Sequence, residues 1–161
     1  MILIDLVQSP LGGIHLASSC VALVLGAIVL FLPKGTPFHR RSGYAYVITM
    51  IIVLGSALGL YHLTGRFGLF HVFALIGFLT LAAGMLPMWI RSISRPARTV
   101  HLWFMYYSVL GLYAALASEL IVRIPDQPFY PMVGVATFLA FGLGSIYIIR
   151  KENAWSRHFG S

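Results

Sequence analysis

The chain has 161 residues, 59% hydrophobic and 9% charged, with a mean hydropathy of +0.89. A soluble domain carries about 25% charged residues, so this composition excludes an ordinary water-soluble enzyme and specifies an integral membrane protein. The net charge of +7 does not imply a nucleic-acid partner, because the basic residues sit in short loops between apolar spans, where they orient a chain in a bilayer.

Met1 to Pro10 is a short apolar lead with Asp5. No Lys or Arg precedes the first span, so no cleavable signal peptide is expected. The run Leu16-Ala17-Ser18-Ser19-Cys20, a faint lipoprotein box, is set aside on the same ground. Cys20 is the only cysteine; it rules out an intramolecular disulfide and a cysteine-rich metal site, and mid-span it reads as a small buried apolar residue.

The first span runs from about residue 11 to 32. Pro33, Gly35 and Pro37 end it and open a basic loop, Lys34 to Gly43. The second span covers about 44–63; a tight turn, Thr64 to Gly68, then makes it an antiparallel hairpin with the third, about 69–90. Pro87 bends or ends that third span. A loop from Arg91 to Arg98 leads into the fourth span, about 100–122. Pro125, Pro128 and Pro131 then favour a non-helical loop, and a fifth span, about 132–149, precedes a tail holding Trp155, Arg157 and His158. The expectation is an all-α, five-span transmembrane bundle forming one domain over residues 1–161.

Charge sets the expected orientation. Lys34, Arg40, Arg41, Arg91, Arg95, Arg98, Arg150, Lys151 and Arg157 share one side, against Arg66 and Arg123 on the other. That asymmetry puts the N-terminus outside and the C-terminus in the cytoplasm of a bacterial inner membrane.

The fourth span, Val100 to Val122, carries His101 near its start and Glu119 near its end. Their separation is about five whole turns, roughly 27 Å along the axis, so the two share a face with Met105, Ser108, Leu112 and Ala115. Ionisable residues inside a membrane face a bundle interior or a wet cavity, which makes this stripe the inward face.

The other histidines sort by side. His15, His62 and His71 fall at the outer ends of spans one, two and three, joined there by Glu119. His39 and His101 fall at the cytoplasmic side. Two small-residue faces lie beneath the outer histidines: Ser19, Ala22 and Gly26 below His15, and Gly55 and Gly59 below His62. Such faces let helices approach closely, or leave room for a flat cofactor. Each histidine also has a plainer reading. One at a span end suits the interface, His39 beside Arg40 and Arg41 suits anionic headgroups, and Glu119 suits an i,i+4 pair with Arg123. Tyr106, Tyr107 and Trp103 read as core or belt aromatics.

Imidazole suits zinc, copper and iron. Two histidines on facing helices are the axial set of a b-type haem, drawn from His15, His62 and His71 outside and from His39 and His101 inside. Three histidines with a carboxylate are instead a zinc set, His15, His62, His71 and Glu119, with Glu119 as the catalytic proton carrier of a hydrolase. A non-catalytic factor that handles copper or assembles an oxidase is a further reading, and a small-solute carrier without metal a fourth. No His-Glu-x-x-His, Cys-x-x-Cys-His or glycine-rich phosphate loop accompanies these residues, so the sequence names no reaction.

The segment from His15 through His101 resembles a family of bacterial predicted membrane proteins, of the domain of unknown function 2306 type. The carrying residues are His15 with Gly26, Lys34-Gly35-Thr36 and His39-Arg40-Arg41-Ser42-Gly43-Tyr44 in the loop, and His101 opening the fourth span. The chain is more weakly similar to membrane assembly factors of haem-copper oxidases. The resemblance implies a helical membrane fold with recurrent histidines, and supplies no reaction. The expected function is binding of haem b or a transition metal (zinc or copper) through embedded histidines, with electron transfer as its use. The expected partners are the lipid bilayer, a second copy of the chain or a respiratory-chain component.

Overall fold

The computed structural model describes residues 9–61, 65–90, 95–121 and 128–157, of which 95 and 152–157 contribute backbone alone. Among the described residues all regular structure is helical: α1 (Pro10–Phe31), α2 (Pro37–Leu58), α3 (Leu69–Trp89), α4 (Arg95–Ile121) and α5 (Phe129–Arg157). All five are long and apolar enough to cross a membrane. The shortest, α3, has 21 residues and so extends about 32 Å, which matches a hydrocarbon core of about 30 Å. Phe31, Leu79, Phe138 and Leu143 stand exposed, as a surface in contact with acyl chains requires. With apolar residues favoured on both sides of each helix, close packing and internal hydrogen bonds hold the helices together.

The chain divides into two compact units, Met1–Ala82 and Ala83–Ser161, with the boundary inside α3. In the first, α1 runs antiparallel to α2. Leu11 at the start of α1 meets Gly59 just past the end of α2, where a Cβ would lie 2.7 Å from Leu11 Cδ2. Gly77 of α3 gives the same close approach to Leu54 of α2. Ala22, Tyr46, Val47 and Met50 are buried here. In the second unit the last turns of α3 meet α4 where Gly84 admits Phe104 and Met105. α4 and α5 are joined by polar as well as apolar contacts. Tyr106 Oη donates to Gly144 O at 2.9 Å, the Tyr107 hydroxyl shares a 3.0 Å bond with Ser145 Oγ, and Leu110 occupies the space a side chain on Gly144 would need.

Several local expectations are corrected. Cys20 is exposed and not buried, on a face of α1 that packs against no other described helix closely enough to cover it. Gly55 is exposed, and a Cβ there would meet nothing within 4 Å. The face α2 turns to α1 is Val53, Ser56 and Gly59, which leaves Gly55 off it; the Gly-x-x-x-Gly spacing marks one packing glycine and one open one. Pro131 lies inside the first turn of α5, where a missing N–H costs no helical bond. Tyr106 and Tyr107 are hydrogen-bonding residues of the α4–α5 seam as well as aromatic bulk.

The basic segment from Lys34 to Gly43 is a corner followed by helix. Leu32 is extended, with ψ 145°, because the residue before proline is driven out of the helical region. Pro33 has no N–H to offer Val29 O; Lys34 Nζ does so instead, donating to Val29 O at 2.9 Å and Leu30 O at 2.8 Å. Gly35 turns the chain at φ 81°. Thr36 caps α2, its Oγ1 accepting from His39 N at 3.1 Å, and Pro37 opens the helix at its most favourable position. α2 therefore begins at Pro37, with His39, Arg40 and Arg41 in its first turns.

Burial lowers the Lys34 ammonium from 10.5 to about 8. The folded chain sheds this proton near pH 8, while the unfolded chain keeps it until its ordinary value. Between those two values the unfolded state binds more protons, so this group's contribution to stability rises with pH. Reversible unfolding in mixed micelles should show stability increasing over that window in the wild type, and less so in Lys34→Met. An identical slope in the two proteins would remove Lys34 as its source.

Candidate functional site

His15 projects from the second turn of α1 onto the last turns of α2. Its Nδ1 lies 2.9 Å from Ser56 Oγ and 3.2 Å from Val53 O. The Ser56 hydroxyl has its own acceptors in Ile52 O and Val53 O, at 2.7 and 2.9 Å. A carbonyl only accepts, and a serine proton is used once. The imidazole therefore carries its proton on Nδ1, and Nε2 holds the lone pair.

His101 repeats this arrangement in the second unit. Its Nδ1 donates to Gly84 O at 2.8 Å, so again Nε2 is the basic nitrogen. Glycine favours the approach, because a Cβ at position 84 would come within 2.9 Å of Met105 Sδ and 3.2 Å of Phe104 Cβ, and those side chains would have to shift. Met105, Ser108 and Leu112 on the His101 face are buried, and Ala115 and Glu119 partly so. The stripe expected to face inward does so over its central part.

His71 has the opposite polarity. It is the third residue of α3, and its Nδ1 accepts the backbone N–H of Gly68 at 3.1 Å. Gly68 O in turn receives His71 N at 3.0 Å and Val72 N at 3.3 Å. This is one half of a capping box, the bond from the N-cap N–H to the N3 side chain, with imidazole in the place usually taken by Glu or Gln; Gly68 has no side chain to supply the other half. The neutral ring then bears its proton on Nε2. Tyr61 and Phe67 pack against it, tilted by 34° and 32°, with centroids 4.6 and 4.9 Å away. The residue is 4% exposed, and Nε2 has no hydrogen-bond partner among the described residues. An unmet buried donor costs about 1–3 kcal/mol.

His39 is partly buried at the start of α2, with Nδ1 inside the protein surface, while Arg40 and Arg41 are exposed. His62, Arg123 and the tail residue His158 lie outside the described residues. Among the described residues no group of three or more His, Cys, Asp or Glu is arranged to hold a metal ion. His15 and His71 belong to the first unit, and Glu119 and His101 to the second.

Haem iron and most metal sites take neutral imidazole through one nitrogen, while the other donates to a carbonyl or carboxylate. His15 and His101 fit that requirement. His71 does not fit it while its Nδ1 lone pair holds the Gly68 N–H. Ser56 and Gly84, which set the two fitting tautomers, are not among the candidates that the sequence pattern singles out. Their signal is their helical phase: Ser56 lies three residues beyond Val53, and Gly84 three residues before Pro87.

Nitrogen-15 spectra of histidine-labelled protein should show His15 and His101 as Nδ1–H tautomers and His71 as the Nε2–H tautomer. A reversed assignment for any of the three would overturn the hydrogen-bond polarity of that ring.

No curated protein and no solved structure matches the chain. A family model described as "Predicted membrane protein (DUF2306)" matches residues 12–149, a range that contains all five histidines of the candidate set. It also contains the corner built by Lys34, Gly35 and Thr36. This chain is a multi-pass membrane protein of that DUF2306 family.

Proposed function

We propose that the protein binds haem b through membrane-embedded histidines and serves electron transfer, with His15 an outer ligand and His101 an inner one, each through Nε2 and each at a site of its own unit. The observation that carries this reading is the paired tautomer. Each ring is held by an Nδ1–H bond to a backbone carbonyl of a neighbouring helix, Val53 O for His15 and Gly84 O for His101, which fixes its orientation and raises its basicity as a ligand. When bound, haem supplies a one-electron couple whose potential depends on burial and ligand hydrogen bonding. The chain's contribution is to orient each imidazole, keep it neutral and exclude water around it. Copper held by the same nitrogens is the second reading, favoured by imidazole donors without thiolates.

The zinc hydrolase reading draws less support. It asks for three imidazoles and Glu119 together, and His71 spends its Nδ1 lone pair on Gly68 N–H. The orientation proposed is N-terminus outside and C-terminus cytoplasmic in a bacterial inner membrane, on the strength of nine basic residues against two.

Detergent-purified protein supplied with haem during expression should show a Soret band and reduced-minus-oxidised α and β bands. His15→Ala and His101→Ala should each shift or halve that spectrum, and Ser56→Ala should shift the potential while leaving the band in place. A colourless protein with stoichiometric copper would favour the second reading, and colour unchanged in both histidine variants would sink the ligand assignment. A reporter fused after Ser161 should be active only in a cytoplasmic format; activity in the periplasm alone would invert the topology.

A further inference from the structure

His71 presents a buried imidazole N–H whose partner is missing among the described residues. Its tautomer follows from the capping box, since Gly68 N donates to Nδ1 at 3.1 Å. The ring cannot turn over to hide Nε2 without giving up that cap. Buried donors are nearly always satisfied by protein, water or ligand. The two rings packed against His71 are themselves open: Tyr61 is 45% and Phe67 55% exposed. One end of the first unit therefore joins a fixed donor to exposed aromatic surface at the beginning of a membrane span.

The chemistry of the missing acceptor is narrowed by this setting. A carboxylate or phosphate would have to shed its hydration to reach a donor that is 4% exposed, which is costly for a charged group without a counter-charge. A neutral carbonyl oxygen sheds little. A flat ring gains from offset stacking on Tyr61 and Phe67, and a ligand arriving from the bilayer must be lipid-soluble. We propose that His71 donates its Nε2 proton to the carbonyl oxygen of a lipid-soluble cyclic ligand of the quinone class, bound against Tyr61 and Phe67.

This inference is separable from the haem reading, because it uses His71 as a donor and never as a ligand. The test uses the full chain in detergent micelles with nitrogen-15 histidine, titrated with decylubiquinone. The His71 Nε2–H resonance, identified by its absence from His71→Phe, should move along a saturable curve while the other histidine signals do not. His71→Phe should weaken the affinity read from the saturable shift of the Tyr61 ring signal by at least about tenfold, the size expected for one lost buried hydrogen bond. A shift linear in quinone and shared by all rings, equal affinity in His71→Phe, or an Nδ1–H tautomer for His71 would each overturn the proposal. Because His71→Phe also removes the helix cap, the wild-type titration decides alone if that variant does not fold. Saturable binding to a protein without pigment would sink the haem reading only, and pigment without saturable binding would sink this one only.

Discussion

Water is missing from the bilayer core, so every polar group placed there must find its partner within the protein. This chain meets that demand largely through helix carbonyls. Ser18 bonds to Ile14 O, Thr49 to Ala45 O, Ser56 to Ile52 O and Thr80 to Ile76 O. These are bonds within one turn of the same helix. His15, His101 and Tyr106 reach a carbonyl on another helix instead. Those three are polar ties between α1 and α2, α3 and α4, and α4 and α5. The histidines are thus first of all part of the packing, and any ligand chemistry is built on rings already oriented by it.

The α1–α2 corner shows the same priority of structure over chemistry. In the block from Lys34 to Tyr44, Lys34 replaces the N–H that Pro33 lacks, Gly35 supplies the left-handed turn, and Thr36 caps the next helix. Three of the residues that carry the family resemblance thus shape the corner itself. That leaves His39, Arg40 and Arg41 as the part of the block whose role the corner does not account for.

The helices are legible in the sequence because hydropathy and length speak directly to a bilayer, and the four inter-span breaks coincide with Pro, Gly and basic residues. The ends are less so. α2 starts at Pro37 and not near Tyr44, because Arg40 and Arg41 look like loop when their helical capping by Thr36 is not weighed against their charge. The phase of α2 cannot be taken from its glycines, since a glycine spacing does not say which of the two glycines packs. The histidines are legible as candidates; their protonation is not. Whether Nδ1 donates or accepts depends on Val53 O, Gly84 O and Gly68 N, backbone groups that no side-chain pattern advertises.

Pro87 is one residue whose influence extends past its own helix. With no N–H, it deprives Ala83 O of the partner a regular turn would give it, and a helix opens at such a point, tilting nearby carbonyls outward. Gly84 O, the acceptor for His101, is the next carbonyl along. The carbonyl that orients an imidazole on α4 thereby lies three residues before an imino acid on α3, a neighbour that would be invisible to anyone inspecting only the groups that touch the ring.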